Sequence, residues 1–195
     1  MADPCTNDQE FFLHPVTAFI YHHRPRLTIL LALAVIGFAH PTVQSLMLGS
    51  IVLILGEIGR LWASGYIEKN AELATSGPYR FSRNPLYVAN FIMFIGCCIM
   101  SANIWVGIAV LVGYLVIYTP VMRHEAGHMI NLFGDQYHAW AAKVPMFFPW
   151  PSGWQAPNPK KFSWKLVKEH DEFFNMLGIP AGIAIFVAIY WYQNS

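Results

Sequence analysis

Hydrophobic residues in this chain come in long unbroken runs, and the polar residues are crowded into the gaps between them. Leu86 to Met122 carries no charged side chain. As a single helix its roughly 37 residues would reach about 55 Å, whereas a bilayer core takes about 20 residues. The run therefore has to turn. Ser101-Ala102-Asn103 is the natural corner, with Ser101 or Asn103 capping the next helix. This predicts two antiparallel spans, over 86–100 and 103–122.

Another span is predicted from Thr42 to Ala63, starting after Pro41 and carrying Glu57 and Arg60 near its end. A last one runs from Asn175 to Tyr192 despite Pro180, since membrane helices tolerate proline. Leu27 to Ala39 is short for a span, but Arg24 and Arg26 could snorkel to the interface and let it cross. Residues 1–23 precede it, and the aromatic stretch Glu10 to His23 is expected to lie along the membrane surface. The reading is an all-α, multispanning bundle of about five transmembrane helices (27–39, 42–63, 86–100, 103–122 and 175–192), forming one domain over residues 1–195.

Composition agrees. The chain is 55% hydrophobic and only 12% charged, about half the charged share of a soluble domain. So few charges could not cover a soluble protein of this size. A net charge of +1 gives no reason to expect nucleic acid as a partner. Cys5, Cys97 and Cys98 form no disulfide framework and no metal-ligand spacing, and the adjacent pair reads as small packing residues. The first apolar stretch comes late, behind an acidic, aromatic N-terminus, which does not fit a cleavable signal peptide. With the N-terminus inside, the outer connections are His40-Pro41, the 101–103 corner and the tail after Tyr192, and none holds Lys or Arg. The positive-inside rule then places the N-terminus and the polar loops in the cytoplasm and the C-terminus outside.

Two polar clusters would meet at that inner face. The first ends in Arg83-Asn84-Pro85-Leu86-Tyr87, where Asn84 and Pro85 mark a helix start. A helix start offers free N–H groups to an anion, and Tyr79 and Tyr87 offer flat faces to a purine or a sulfonium. Taken singly, each tyrosine also fits an interfacial aromatic belt. The second cluster is Arg123-His124-Glu125-Ala126-Gly127-His128. Glu125, at the end of a span, suits ribose hydroxyls or an amino group, or else a surface ion pair. The same stretch fits H-E-x-x-H, which on one helix face could bind zinc with Asp135 as a third ligand, as in a membrane metalloprotease. Gly127 weakens that helix, and the span is expected to end before the motif. Glu57 and Arg60 are spaced to neutralise each other or to face the bundle. Lys160, Lys161, Lys165 and Lys168, beside Phe162 and Trp164, read as an amphipathic segment on anionic lipid.

Thr75-Ser76-Gly77-Pro78-Tyr79-Arg80-Phe81-Ser82-Arg83-Asn84-Pro85-Leu86-Tyr87 resembles the T-S-G-x-Y-x-x-x-R-H-P-x-Y motif of the isoprenylcysteine carboxyl methyltransferases and related phospholipid methyltransferases. Glu125, Met129, Phe133-Gly134-Asp135, Tyr137, Trp140, Val144-Pro145 and Pro149 resemble their second block. The resemblance covers roughly residues 65–150 and is that of a compact prokaryotic member. It implies a helical membrane bundle with S-adenosylmethionine as cofactor. The cofactor would be held by Ala71, Glu72, Leu73, Ala74, Tyr79, Asn84, Pro85, Leu86, Tyr87 and Glu125. It implies Arg123 and Glu125 as catalytic residues, with Arg123 on the substrate side. The implied reaction is carboxyl O-methylation of a lipid-linked, prenylated cysteine in the bilayer. Methylation of a phospholipid amine is the neighbouring possibility. Asn84 stands where the motif has histidine and Ala126 where it has a second glutamate. Position 84 therefore cannot serve as a base.

Overall fold

The computed structural model describes residues 15–68 and 72–195, and every regular element among them is helical. Five long helices build the bundle: α1 (Pro15–Gly37), α2 (Val43–Ser64), α3 (Pro85–Ser101), α4 (Ile104–Phe133) and, after three short pieces, α8 (Gly178–Asn194). The short pieces are α5 (Asp135–Ala141), α6 (Trp164–Glu169) and α7 (Glu172–Asn175). A single 3₁₀ turn, Gly77–Arg80, precedes α3. Val43–Ser64, Ile104–Phe133 and Glu172–Asn194 are long and apolar enough to cross a bilayer, and Pro85–Ser101 is a shorter apolar helix. The outer surface of α2 is itself apolar, with Met47, Leu48, Ile51, Leu55 and Ile58 all exposed. Lipid, not water, suits such a surface. The chain is a multispanning helical membrane bundle.

The predicted corner between α3 and α4 is present. Ala102 takes the left-handed conformation that ends α3, and Asn103 Oδ1 caps α4 by accepting from the Val106 N–H. Thr42 caps α2 in a reciprocal box with Ser45. Three connections are tied together at this end. The His40 N–H donates to Ser101 O at 2.8 Å, Asn103 Nδ2 to Phe38 O at 3.1 Å, and Gln193 Nε2 to Ala39 O at 2.9 Å. The connections tied here hold no lysine or arginine.

The closest helix contact is between α2 and α3, and glycines make it possible. A Cβ added at Gly96 would lie 2.7 Å from the Leu53 nitrogen and 2.8 Å from the Gly49 oxygen. One at Gly49 would lie 2.6 Å from the Gly96 oxygen, and one at Gly56 would lie 2.9 Å from the Met93 nitrogen. In lipid, where burial of apolar surface drives little association, such small-residue contacts hold helices through van der Waals packing. Met100, Leu53 and Cys98 fill the core beside this seam.

Two expectations need correction. The span predicted to end at Met122 continues as α4 to Phe133, so the 123–128 cluster is helical after all. No proline interrupts 121–133, and Ala126, Met129 and Ile130 are packed into a buried cluster with Tyr79 and Trp140. That burial outweighs the weak helix preference of Gly127. The short 27–39 segment begins much earlier, as α1 from Pro15 with Pro25 inside it. Residues 15–23 are therefore not a separate interfacial piece. Tyr21 meets the His124 ring edge-on at 4.2 Å, and Thr28 Oγ1 lies 2.9 Å from the Tyr118 hydroxyl. Residues 1–14 of that segment, Cys5 included, lie outside the described residues. The last helix, α8, starts at Gly178, and with α7 it makes up the membrane-length stretch Glu172–Asn194, which contains the predicted 175–192.

The glycine seam yields a paired prediction. Gly96→Ala should destabilise the protein by about 1–3 kcal/mol through overpacking. Gly127→Ala, whose Cβ would meet nothing within 4 Å, should stabilise it by about 0.5–1 kcal/mol. Thermal unfolding in detergent checks both signs.

Candidate functional site

A helix of 30 residues is about 45 Å long, well beyond a hydrocarbon core of about 30 Å. The last turns of α4 therefore stand clear of the apolar layer, at the charged end of the bundle. There they form one wall of a cavity of about 490 Å³, large enough for a nucleotide-sized ligand. Met122, Glu125, His128 and Met129 come from α4, and Tyr137 and Trp140 from α5. Asn84, Pro85, Leu86, Tyr87 and Asn90 come from the start of α3. Tyr79 and Arg83 precede them, Glu68, Glu72, Leu73 and Ala74 line the approach, and Arg60 and Glu172 close the far side.

The two sequence clusters meet directly. Tyr87 Oη donates to Glu125 Oε1 at 2.6 Å, joining α3 to α4. Arg24 of α1 stands 3.8 Å from the same oxygen. The Tyr114 hydroxyl donates to the Tyr87 backbone oxygen at 2.9 Å, and the Tyr118 ring packs 5.2 Å from the Tyr87 ring. Tyr87 is thus held at its main chain, its ring and its hydroxyl.

Tyr79 is 5% exposed, and its hydroxyl has no hydrogen-bond partner. Burial, and then the nearby Glu125 carboxylate, push its pKa well above the usual tyrosine value. It remains a neutral phenol with a donor to offer. A buried unpaired hydroxyl is costly, and a ligand in the cavity would satisfy it. The first turn of α3 adds the N–H groups of Leu86 and Tyr87, which a helix start leaves unbonded.

A strap from Val144 to Ser163 holds the motif loop in place. Arg83 N donates to Pro145 O at 2.9 Å, and Trp150 N to Phe81 O at 2.9 Å. Ser82 Oγ donates to Phe147 O at 2.8 Å and accepts from Asn84 N. Asn84 sits at the cap position of α3, but its Nδ2 donates to Met146 O at 2.9 Å instead of capping. Trp140 Nε1 donates to Tyr79 O from the other side. The turn itself needs Gly77, whose φ of +57° favours glycine and whose Cβ would strike the Tyr66 ring.

All the cofactor positions named from the sequence line this one cavity except Ala71, which lies outside the described residues. Arg123 does not line it. The cavity's arginines are Arg60 and Arg83, and Arg83 Nη1 donates to the Tyr137 hydroxyl at 3.2 Å while its Nε is buried without a partner. Arg60 pairs with Glu172 at 2.9 Å, not with Glu57, whose buried carboxylate has no hydrogen-bond partner. Lys160 pairs with Glu68 at 2.9 Å and with Glu72 at 2.6 Å. Among the described residues no group of three His, Cys, Asp or Glu is placed to hold a metal ion, so His124 and His128 have no third ligand in Asp135. Sequence reasoning missed Glu172 and Asn90 as lining residues. Asn90, a lone amide in an apolar run, was the one legible signal.

This architecture, a cofactor-sized cavity at the polar end of a helical membrane bundle, agrees with comparisons to known proteins. The family profile of phospholipid methyltransferases matches residues 31–136, more than half of the chain. The chain belongs to that family, within the isoprenylcysteine/phospholipid methyltransferase superfamily. It is similar to the nickel-cobalt-cadmium resistance protein NccN of Alcaligenes xylosoxydans xylosoxydans, 33% identical over 53% of this chain and 49% of that one. It is also similar to the cobalt-zinc-cadmium resistance protein CzcN of Cupriavidus metallidurans, 31% identical over 67% of this chain and 66% of that one. The matched stretch thus spans about half of one relative and just under two thirds of the other. No solved structure matches the chain.

Ser82, 1% exposed, tests the strap. Ser82→Ala removes the hydrogen bonds to Phe147 O and from Asn84 N, at a cost of about 1–3 kcal/mol. A melting temperature equal to that of the parent protein would show that the strap is held elsewhere.

Proposed function

We propose that the protein is an S-adenosylmethionine-dependent methyltransferase acting on a lipid-linked acceptor, with the cavity between Tyr79, Tyr87 and Glu125 as its active site. The observation that carries this reading is the unpartnered Tyr79 hydroxyl in a cavity shared with the Tyr87–Glu125 pair and the open first turn of α3. That set fits the cofactor's mixed character. Glu125 can accept from hydroxyl or amino groups, the α3 N–H groups suit a carboxylate, and the tyrosine faces suit a ring or a sulfonium. When bound, S-adenosylmethionine would supply a methyl group made electrophilic by the sulfonium.

The chain's residues would contribute position and dryness. Tyr87, fixed at three points, holds Glu125 in orientation. Asn84 cannot take a proton, and its amide is used to anchor the start of α3. A carboxylate acceptor suits such a site, because it is ionised at pH 7 and needs no base. Arg83, which lines the cavity and has a buried Nε without a partner, takes the substrate-side role first expected of Arg123. Orientation alone can be worth roughly 7–11 kcal/mol of barrier. The prenylated cysteine carboxylate remains the leading acceptor, since its tail would enter between helices from the bilayer. The names of the two relatives add a chemical motive. Esterifying a carboxylate removes an oxygen ligand for divalent metal ions at the membrane surface.

The acidic lining, Glu68, Glu72, Glu125 and Glu172, favours the second reading, a phospholipid amine. That acceptor must lose a proton, and Glu125 or His128 would take it. We further propose that the single domain is oriented with its site in the cytoplasm. The tied end of the bundle carries no Lys or Arg, as the positive-inside rule requires of an outer face.

Calorimetric titration with S-adenosylhomocysteine should give binding heat that Glu125→Ala and Tyr87→Ala abolish. Full binding by both variants would refute this site. With a lipid acceptor supplied, methyl transfer should be nearly flat between pH 7 and about pH 9 for a carboxylate, ionised throughout. A rate climbing through that range would assign the amine.

A further inference from the structure

One face of α1 is spaced to meet α4. Tyr21, Arg24, Thr28, Leu31 and Val35 follow one another at intervals of three or four residues, which keeps side chains on one side of a helix. Tyr21 meets His124 edge-on, Thr28 Oγ1 lies 2.9 Å from the Tyr118 hydroxyl, and Leu31 packs where Gly113 leaves room. Val35 is buried in one core with Val110. This register brings Arg24 to Glu125, with Nη1 3.8 Å from Oε1. The guanidinium lies over the Tyr21 ring at 4.9 Å, and Nη1 is buried without a hydrogen-bond partner. Arg24 precedes the family-matched stretch 31–136. It does not line the cavity either, so it acts there through Glu125.

The two oxygens of Glu125 are placed differently. Tyr87 and Arg24 both approach Oε1. Among the described residues Oε2 accepts no hydrogen bond, and it is the oxygen left for a ligand. The carboxylate is faced by Tyr87 from α3, Tyr79 from the motif loop, Arg24 from α1 and His128 from its own helix. Tyrosines are neutral at pH 7, and arginine keeps its charge at any working pH. A neighbouring cation favours the ionised carboxyl and makes it a weaker base. An ionised carboxyl only accepts hydrogen bonds. The pairing therefore suits acceptance from a hydroxyl or amino group better than removal of a proton.

We propose that Arg24 is a positioning residue of the site: from outside the cavity it keeps Glu125 ionised, with Tyr87 holding Oε1, so that Oε2 accepts from the bound ligand. The identity of that ligand rests on the methyltransferase reading; the hold of Arg24 on Glu125 does not.

Infrared difference spectra of the full chain in detergent, titrated with acid, follow Glu125 without any ligand. Its protonated carboxyl band is the one that Glu125→Gln removes. Both side chains are partly exposed, 36% for Arg24 and 42% for Glu125, so the effect belongs at the low end of what a neighbouring charge gives. In Arg24→Gln the midpoint should rise by about one pH unit, because loss of the cation favours the protonated form. Arg24→Lys should bring it back toward the parent value. Arg26→Gln, at an exposed position on another face of α1, should leave it in place. An unmoved midpoint in Arg24→Gln would overturn the proposal, and so would an equal shift in Arg26→Gln. Calorimetry with S-adenosylhomocysteine then reads the ligand. Its binding should disappear on acidification at the higher midpoint in Arg24→Gln, and binding indifferent to that midpoint would overturn the role of Oε2. A parent that shows the infrared shift but no binding heat would sink the cofactor reading and leave the hold of Arg24 on Glu125 standing.

Discussion

The close approach of α2 to α3 sets the geometry on which the rest of the bundle is built. Gly49, Gly56 and Gly96 let the two backbones come within a distance that no side chain could share. In a bilayer the apolar surfaces of helices are as comfortable against lipid as against each other, so shape decides which helices pair. Here the glycines decide it. They fix the direction of α3, and with it the place where its first turn emerges among the polar loops.

The site follows from a mismatch of lengths. α3 is short and α4 is long, so when their outer ends are tied at the 101–103 corner, their inner ends cannot coincide. The surplus turns of α4 rise past the start of α3 and make a wall opposite it. Tyr87 spans the resulting gap to Glu125, and the Val144–Ser163 strap braces the motif loop from behind. Residues that are about forty positions apart in sequence become facing sides of one cavity for this reason.

Charge is distributed with similar economy. The short connections at one end of the bundle hold no lysine or arginine, and among the described residues the opposite end pairs several of its charges across elements. Arg60 reaches from a span to Glu172, and Lys160 reaches from the strap to Glu68 and Glu72. Such pairs join the C-terminal third of the chain, which lies beyond the family-matched stretch, to the cavity wall. Glu57 is the exception. It is buried one turn from an arginine that bonds elsewhere.

Much of this was legible from residue order alone. An uncharged run too long for one bilayer had to fold back, and the Ser101-Ala102-Asn103 corner said where. The start of a span at Thr42, the cluster of Asn84 to Tyr87 and the importance of Glu125 were also readable, because helix starts and carboxylates at the ends of membrane helices carry strong local signals. Three things were not. Local propensity at Gly127 argued for ending α4, and only burial against Tyr79 and Trp140 kept it going. Sequence neighbours suggested Arg123 beside Glu125, but a helix turns residues two apart to different faces, and Arg83 lines the cavity instead. Glu57 and Arg60 do share a face, yet Arg60 pairs with Glu172 from a distant element. The strap's grip on Ser82 and Asn84 joins positions more than sixty residues apart, a pairing that depends on where loops come to rest. Periodicity and composition therefore determined the membrane class and the helices, since the bilayer leaves few alternatives. Which side chains share the cavity was decided by tertiary packing, since no local rule constrains contacts between distant elements.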